Sequence, residues 1–134
     1  MGKPQTVEEI RDALKPLWES GKFEMVMLFG SVATGRMSSG SDLDIALWPR
    51  NGWDEISVTT DIVRQTHWSN VDVVDLRRAD PVVAMQIART GALLYSDNPA
   101  FFTEFKSLAF RRFVDTEKLR KAQRRALDKF EKGE

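Results

Sequence analysis

Apolar and polar positions follow two periods along this chain, and the switches between them mark its elements. In TVEEIRDALKPLWESGKF, Ile10, Leu14 and Leu17 recur at helical spacing. Thr6 with Glu9 three residues on is a capping-box pattern, and Gly21 is the expected stop. Pro16, late in the segment, is expected to kink or shorten this helix. FEMVMLF (Phe23 to Phe29) is a short apolar run between glycines and predicts a buried strand. Gly30 to Gly40 follows as a loop of small residues with room for a helical turn.

The period then becomes two. In DLDIALW (Asp42 to Trp48), Leu43, Ile45 and Leu47 point one way and Asp42, Asp44 and Ala46 the other. Pro49 and Asn51-Gly52 turn the chain. A helix is predicted from Asp54 to Thr66 with Ile56, Ile62 and Val63 inward, then a strand over NVDVVDL. Asp80-Pro81 opens a helix through Val83, Met85 and Ile87 that stops at Gly91, and ALLYS predicts a short edge strand. From Asn98-Pro99 onward, Phe102, Phe105, Leu108, Phe113, Leu119, Ala122 and Phe130 predict one long helix or two shorter ones. Helices alternating with strands make an α/β domain.

Composition narrows the class without changing that picture. A chain of 134 residues is expected to form a single domain with one core. The absence of cysteine excludes disulfides and thiolate metal sites and fits a reducing compartment. No segment has signal-peptide or membrane-span character, so a cytoplasmic protein is expected, with no membrane partner. Net charge is zero but uneven: from Glu104 to Glu134, ten Lys or Arg stand against six Asp or Glu. Acidic residues interspersed in that basic segment favour a solvated helix face over a nucleic-acid interface, so direct nucleic-acid binding is not expected.

The candidate chemistry lies in the carboxylates. Charge inside an apolar strand is costly unless something pairs with it. Asp42 and Asp44, two residues apart on a strand, emerge on one face roughly 6 to 7 Å apart. That spacing suits a hard divalent cation, and Mg²⁺ takes carboxylates together with substrate phosphates. A third carboxylate from NVDVVDL would complete a site for two ions, able to stabilise both attacking and leaving oxygens at phosphorus. Asp72 and Asp75 are both candidates, and their opposite parity lets only one share the face. Ahead of the pair, Gly30 allows close backbone approach to a phosphate, Ser31 offers a hydroxyl and an N–H, and Arg36 adds a charge-assisted contact. A P-loop is excluded, because Arg36-Met37 stands where Lys-Ser/Thr is required. His67 reads as a helix-end residue, and Tyr95, Trp48 and Trp53 as rim packing.

Gly30-Ser31, ten intervening residues, Asp42-x-Asp44 and a later acid in an apolar strand resemble the nucleotidyltransferase superfamily that includes DNA polymerase β. The GS-x10-DxD spacing is similar, more narrowly, to the minimal nucleotidyltransferase (MNT) antitoxins of HEPN–MNT toxin–antitoxin pairs, over about residues 23–95. The resemblance implies a nucleotidyltransferase fold: a small mixed β-sheet flanked by helices, with a C-terminal helical segment over about 98–132. It also implies that Gly30 and Ser31 bind the triphosphate of ATP and that Asp42 and Asp44 hold Mg²⁺. Asp72, matching the acid of the family's strand pattern, would be the third metal ligand and a proton acceptor. Family members often read GS-x-A-R-G, whereas here Thr34 occupies the arginine position and Arg36 follows two residues later.

Fewer than forty residues of this sequence follow that core, and they are expected to form one or two helices that finish the core or dock a partner. The resemblance implies an acceptor brought by a partner: a HEPN RNase toxin, in a hetero-oligomer, whose tyrosine receives AMP. Two other readings compete. One is an antitoxin that acts by binding alone, through exposed aromatics among Phe101, Phe102, Phe105, Phe110 and Phe113, most of which are expected to pack on the sheet instead. The other is nucleotidyl transfer to a small molecule such as an aminoglycoside.

Overall fold

The computed structural model describes residues 2–36 and 40–133, so the middle of the expected Gly30–Gly40 loop lies outside the described residues. In chain order the elements are α1 (Val7–Glu19), β1 (Phe23–Phe29), α2 (Gly30–Ala33), β2 (Leu43–Pro49) and α3 (Glu55–Thr66). They continue with β3 (Val71–Asp75), α4 (Pro81–Thr90), β4 (Ala92–Ser96), α5 (Pro99–Asp115) and α6 (Glu117–Glu131). The strands form a mixed sheet in the order β3-β2-β1-β4, with β1 antiparallel to both neighbours and β2 parallel to β3.

Local chemistry accounts for the boundaries. The capping box of α1 is formed: the Glu9 N–H donates to Thr6 Oγ1 at 3.1 Å, and the Thr6 N–H donates to Glu9 Oε1 at 3.2 Å. Contrary to one expectation, the helix runs on past Pro16 to Glu19. Asp54 caps α3 by accepting the Ser57 N–H at 3.1 Å, and His67 ends that helix in the left-handed region at φ 60°. Asp80 caps α4 with Pro81 in its first turn.

Strand alternation sorts the core onto two faces. Leu43, Ile45 and Leu47 of β2 bury against Ile10, Leu14 and Leu17 of α1 and Val58 and Ile62 of α3. Ala46, Met25 and Met27 face the other way, against Ala84 and Ile87 of α4 and Phe105 and Ala109 of α5. In β1, Phe23 and Met25 lie on opposite faces despite equal parity, because a register shift falls between them. Each large side chain buried here contributes about 1.5–3 kcal/mol of transfer free energy.

Several packing expectations need correction. Ile56 is 77% exposed; the inward face of α3 is Val58, Ile62 and Thr66, at successive four-residue steps. Ala84 rather than Met85 joins Ile87 as the buried stripe of α4. The C-terminal segment is two helices. α5 closes the second face through Phe105 and Ala109, while α6 buries no residue and leaves Leu119, Leu127 and Phe130 exposed. The corner between them is tied by Arg120, whose guanidinium stacks 4.1 Å from the Phe113 ring centroid and donates to the Phe113 carbonyl at 2.9 Å. Phe101 and Phe102 pack half-buried against the second core, and of the five aromatics between Phe101 and Phe113 it is Phe110 that is left exposed.

Candidate active site

The register of the sheet brings the predicted acids together. Phe29 of β1 pairs with Asp44 of β2, and Asp44 pairs with Asp72 of β3 across the parallel ladder. Parity places Asp44 and Asp72 on the face that carries Ala46 and Val74 further along, with Asp42 one step before β2. Asp44 is half-buried, and its carboxyl is pushed up to about 6, first by burial and then by the Asp72 and Asp42 carboxylates. Among the described residues none of the three acids is ion-paired or hydrogen-bonded to a basic side chain.

Asp75, the alternative third acid, faces the other way and is already occupied. Arg77 donates to it from Nε at 3.1 Å, from Nη2 at 3.0 Å and from the backbone N–H at 3.0 Å. Burial alone would raise the Asp75 carboxyl, but the hydrogen bonds and charge of Arg77 outweigh it and hold it below the usual range. Of the two acids of opposite parity, Asp72 is therefore the neighbour of Asp44.

Gly30 has a role that its motif alone did not suggest. Its φ is +77°, and a Cβ built there would lie 2.1 Å from Asp44 Oδ2. Glycine is required by the backbone and by the close approach of the Asp44 carboxylate together. Ser31 stands next to it at the start of α2, which buried Val32 anchors. Thr34 is turned toward its own helix, its hydroxyl placed 3.3 Å from the carbonyls of Gly30 and Ser31. Arg36 lies past that turn with its backbone N–H on the Ser31 carbonyl at 2.8 Å and its residue exposed.

Two clefts flank the acids. One, of about 270 Å³, is lined by Asp42, Ser69, Asn70, Val71 and Asp72. The other, of about 450 Å³, lies between Phe29 and Gly30 on one side and the last turns of α4 on the other. Its polar residues Gln86, Arg89 and Thr90 were not singled out in the sequence. Their i, i+3, i+4 spacing, opposite the buried Ala84, is the signal that could have found them.

Among the described residues no three Asp, Glu, His or Cys side chains form a preassembled metal cage. Three unpaired carboxylates, with Asp44 raised first by burial and then by the other two, nonetheless suit a cation that takes its remaining ligands from phosphate and water. The donor set is all oxygen, which matches Mg²⁺ rather than a thiolate-seeking metal.

This strand–turn–strand arrangement of glycine, serine and paired aspartates is that of a nucleotidyltransferase. Residues 8–100 match the polymerase β nucleotidyltransferase family, and the chain belongs to that family. It is similar to the protein adenylyltransferase MntA of Aphanizomenon flos-aquae, 26% identical over 141 aligned positions that cover 96% of this chain and 94% of the relative. The protein adenylyltransferase MntA of Shewanella oneidensis is 33% identical over 76 residues, 55% of each chain. In fold the chain is similar to the crystal structure of a toxin–antitoxin with AMP-PNP, at a TM-score of 0.76 and 24% identity, covering 87% of this chain and 97% of that one. It is likewise similar to a chain in the complex of tri-AMPylated Shewanella oneidensis HEPN toxin with MNT antitoxin, at a TM-score of 0.71 and 22% identity, covering 91% and 98%. Among the described residues no helix is long and apolar enough to cross a membrane.

Proposed function

We propose that this protein is an antitoxin that neutralises a cognate HEPN RNase by transferring AMP from ATP to a toxin tyrosine. The observation that carries the chemistry is the pairing of Asp44 with Asp72 by register, with Asp42 two residues before, and all three without basic partners among the described residues. The similarity to protein adenylyltransferases over nearly the whole chain supports a protein acceptor. The chain acts as one functional unit in the cytoplasm, with its nucleotidyltransferase core over about 23–95.

In this mechanism the tyrosine oxygen attacks the α-phosphorus of ATP, forming the new P–O bond as the α–β bridging bond breaks and pyrophosphate leaves. Asp42, Asp44 and Asp72 would hold two Mg²⁺ ions, which when bound supply charge neutralisation at the attacking and leaving oxygens. Asp72, exposed on the edge strand β3, would take the phenol proton. Gly30, against which the Asp44 carboxylate lies, and Ser31 after it would receive the phosphate chain. The exposed apolar residues Leu119, Leu127 and Phe130 of α6 supply a surface for the acceptor protein.

Protection of cells expressing the toxin tests this. Under AMP transfer, the Asp42→Ala/Asp44→Ala variant loses protection although it still folds. Protection that survives in the double variant would instead establish an antitoxin that works by binding.

A further inference from the structure

We propose that Arg89 of α4 is the cation that holds the phosphate tail of the nucleotide, in the cleft between Gly30 and α4. The proposal deepens the nucleotidyltransferase reading and rests on it. A nucleoside triphosphate is a polyanion, and its seat here adjoins three carboxylates, so it needs positive charge beyond that of the metal ions. At position 34, where the family pattern often has arginine, this chain has a threonine whose hydroxyl is committed to the carbonyls of its own short helix. Arg36 lies beyond that turn and, although both arginines are exposed, it is not among the described residues that line the cleft.

Arg89 does line it. It is the basic residue among those forming the cleft of about 450 Å³, and among the described residues no ion pair or hydrogen bond engages it. The cleft adjoins the acids through Gly30, which forms part of its wall and abuts the Asp44 carboxylate. Phe29, Val83 and Ile87 give it an apolar side and Gln86 a polar one, a mixture suited to a nucleoside. Gly91, two residues beyond Arg89, fixes the height of the helix end. A Cβ at Gly91 would lie 3.0 Å from Met27 Cε and 3.2 Å from the Leu28 carbonyl, both of β1, so the end of α4 is seated closely on that strand. That seating holds the last turn of α4, and Arg89 with it, at a set distance from Gly30.

Equilibrium binding of ATP and of adenosine to the full chain, with Mg²⁺, tests the assignment. Arg89→Ala is expected to weaken ATP binding about 10- to 100-fold, the worth of charge-assisted hydrogen bonds, and to leave adenosine binding unchanged. Arg89→Lys is expected to restore part of the loss, and Arg36→Ala to change ATP affinity by less than about 3-fold, as for a solvated charge. Equal ATP affinity in wild type and Arg89→Ala overturns the proposal, as does a loss confined to Arg36→Ala. A wild-type chain that binds ATP but transfers nothing to the toxin contradicts the proposed function while leaving this assignment to be decided by the same titrations. Failure of the wild type to bind ATP overturns both.

Discussion

Where β2 and β3 run out, Asp75 receives three hydrogen bonds from Arg77, and Asp97 is paired with Arg50, which also donates to the carbonyls of Gly21 and Phe23 at 2.8 and 3.0 Å. Where the same two strands begin, Asp42, Asp44 and Asp72 face one another with no such partner among the described residues. The two ends use the same residue type on the same sheet to opposite effect. Paired acids at the far end stabilise the fold, and the Asp75 carboxyl lies below its usual range. At the near end the acids repel, Asp44 rises to about 6, and the isolated chain carries a cost that a bound cation would remove.

Breaking the near end should abolish chemistry without harming the fold. Asp44→Asn is expected to reduce transfer at least about 100-fold, in line with loss of electrostatic stabilisation at the reacting centre. Its melting temperature should stay level or rise, because a repelling charge is gone. A transfer assay beside a thermal melt checks both. Gly30→Ala comes next: the added Cβ must displace the Asp44 carboxylate and adopt φ +77°, so transfer should fall at least about 10-fold, with about 1–2 kcal/mol of stability lost. Denaturant titration and initial rates would separate the two effects.

At the far end the sign reverses. Asp75→Asn leaves the part-buried Arg77 guanidinium without its carboxylate and should cost about 1–2 kcal/mol by denaturant titration. Transfer per folded molecule should be unchanged. The smallest expected effect is on pH dependence without metal. The folded pKa of Asp44, about 6, exceeds the ordinary 3.8, so its contribution is most favourable below pH 4 and is lost as pH rises through 6. The loss is about 1 kcal/mol once solvent screening of this open site is allowed for. Melting curves from pH 4 to 8 should show it in wild type and not in Asp44→Asn, and Mg²⁺ with ATP should recover it above pH 6.

Much of this contrast is legible in the sequence. Alternation in DLDIALW gives both the strand and the face of its acids, and parity in NVDVVDL shows that Asp72 and Asp75 cannot serve together. What alternation cannot give is partnership. That Asp75 belongs to Arg77 depends on a side chain folding back across a turn, and that Asp44 presses on Gly30 depends on strand pairing. Arg36 is the arginine nearest the loop in sequence, whereas the cleft is lined by Arg89, brought there by α4 lying over β1. The periodic apolar stripe of α6 is indistinguishable in sequence from a buried one. Its exposure depends on where the corner at Thr116 sends the helix.

The most direct test of the central claim is the intact mass of the cognate HEPN toxin after incubation with this protein, ATP and Mg²⁺. The account predicts mass added in whole AMP units, none with the Asp42→Ala/Asp44→Ala variant, and a modified tyrosine on mapping. An unchanged mass alongside a stable complex and an inhibited toxin would contradict it and leave the three carboxylates without a catalytic role.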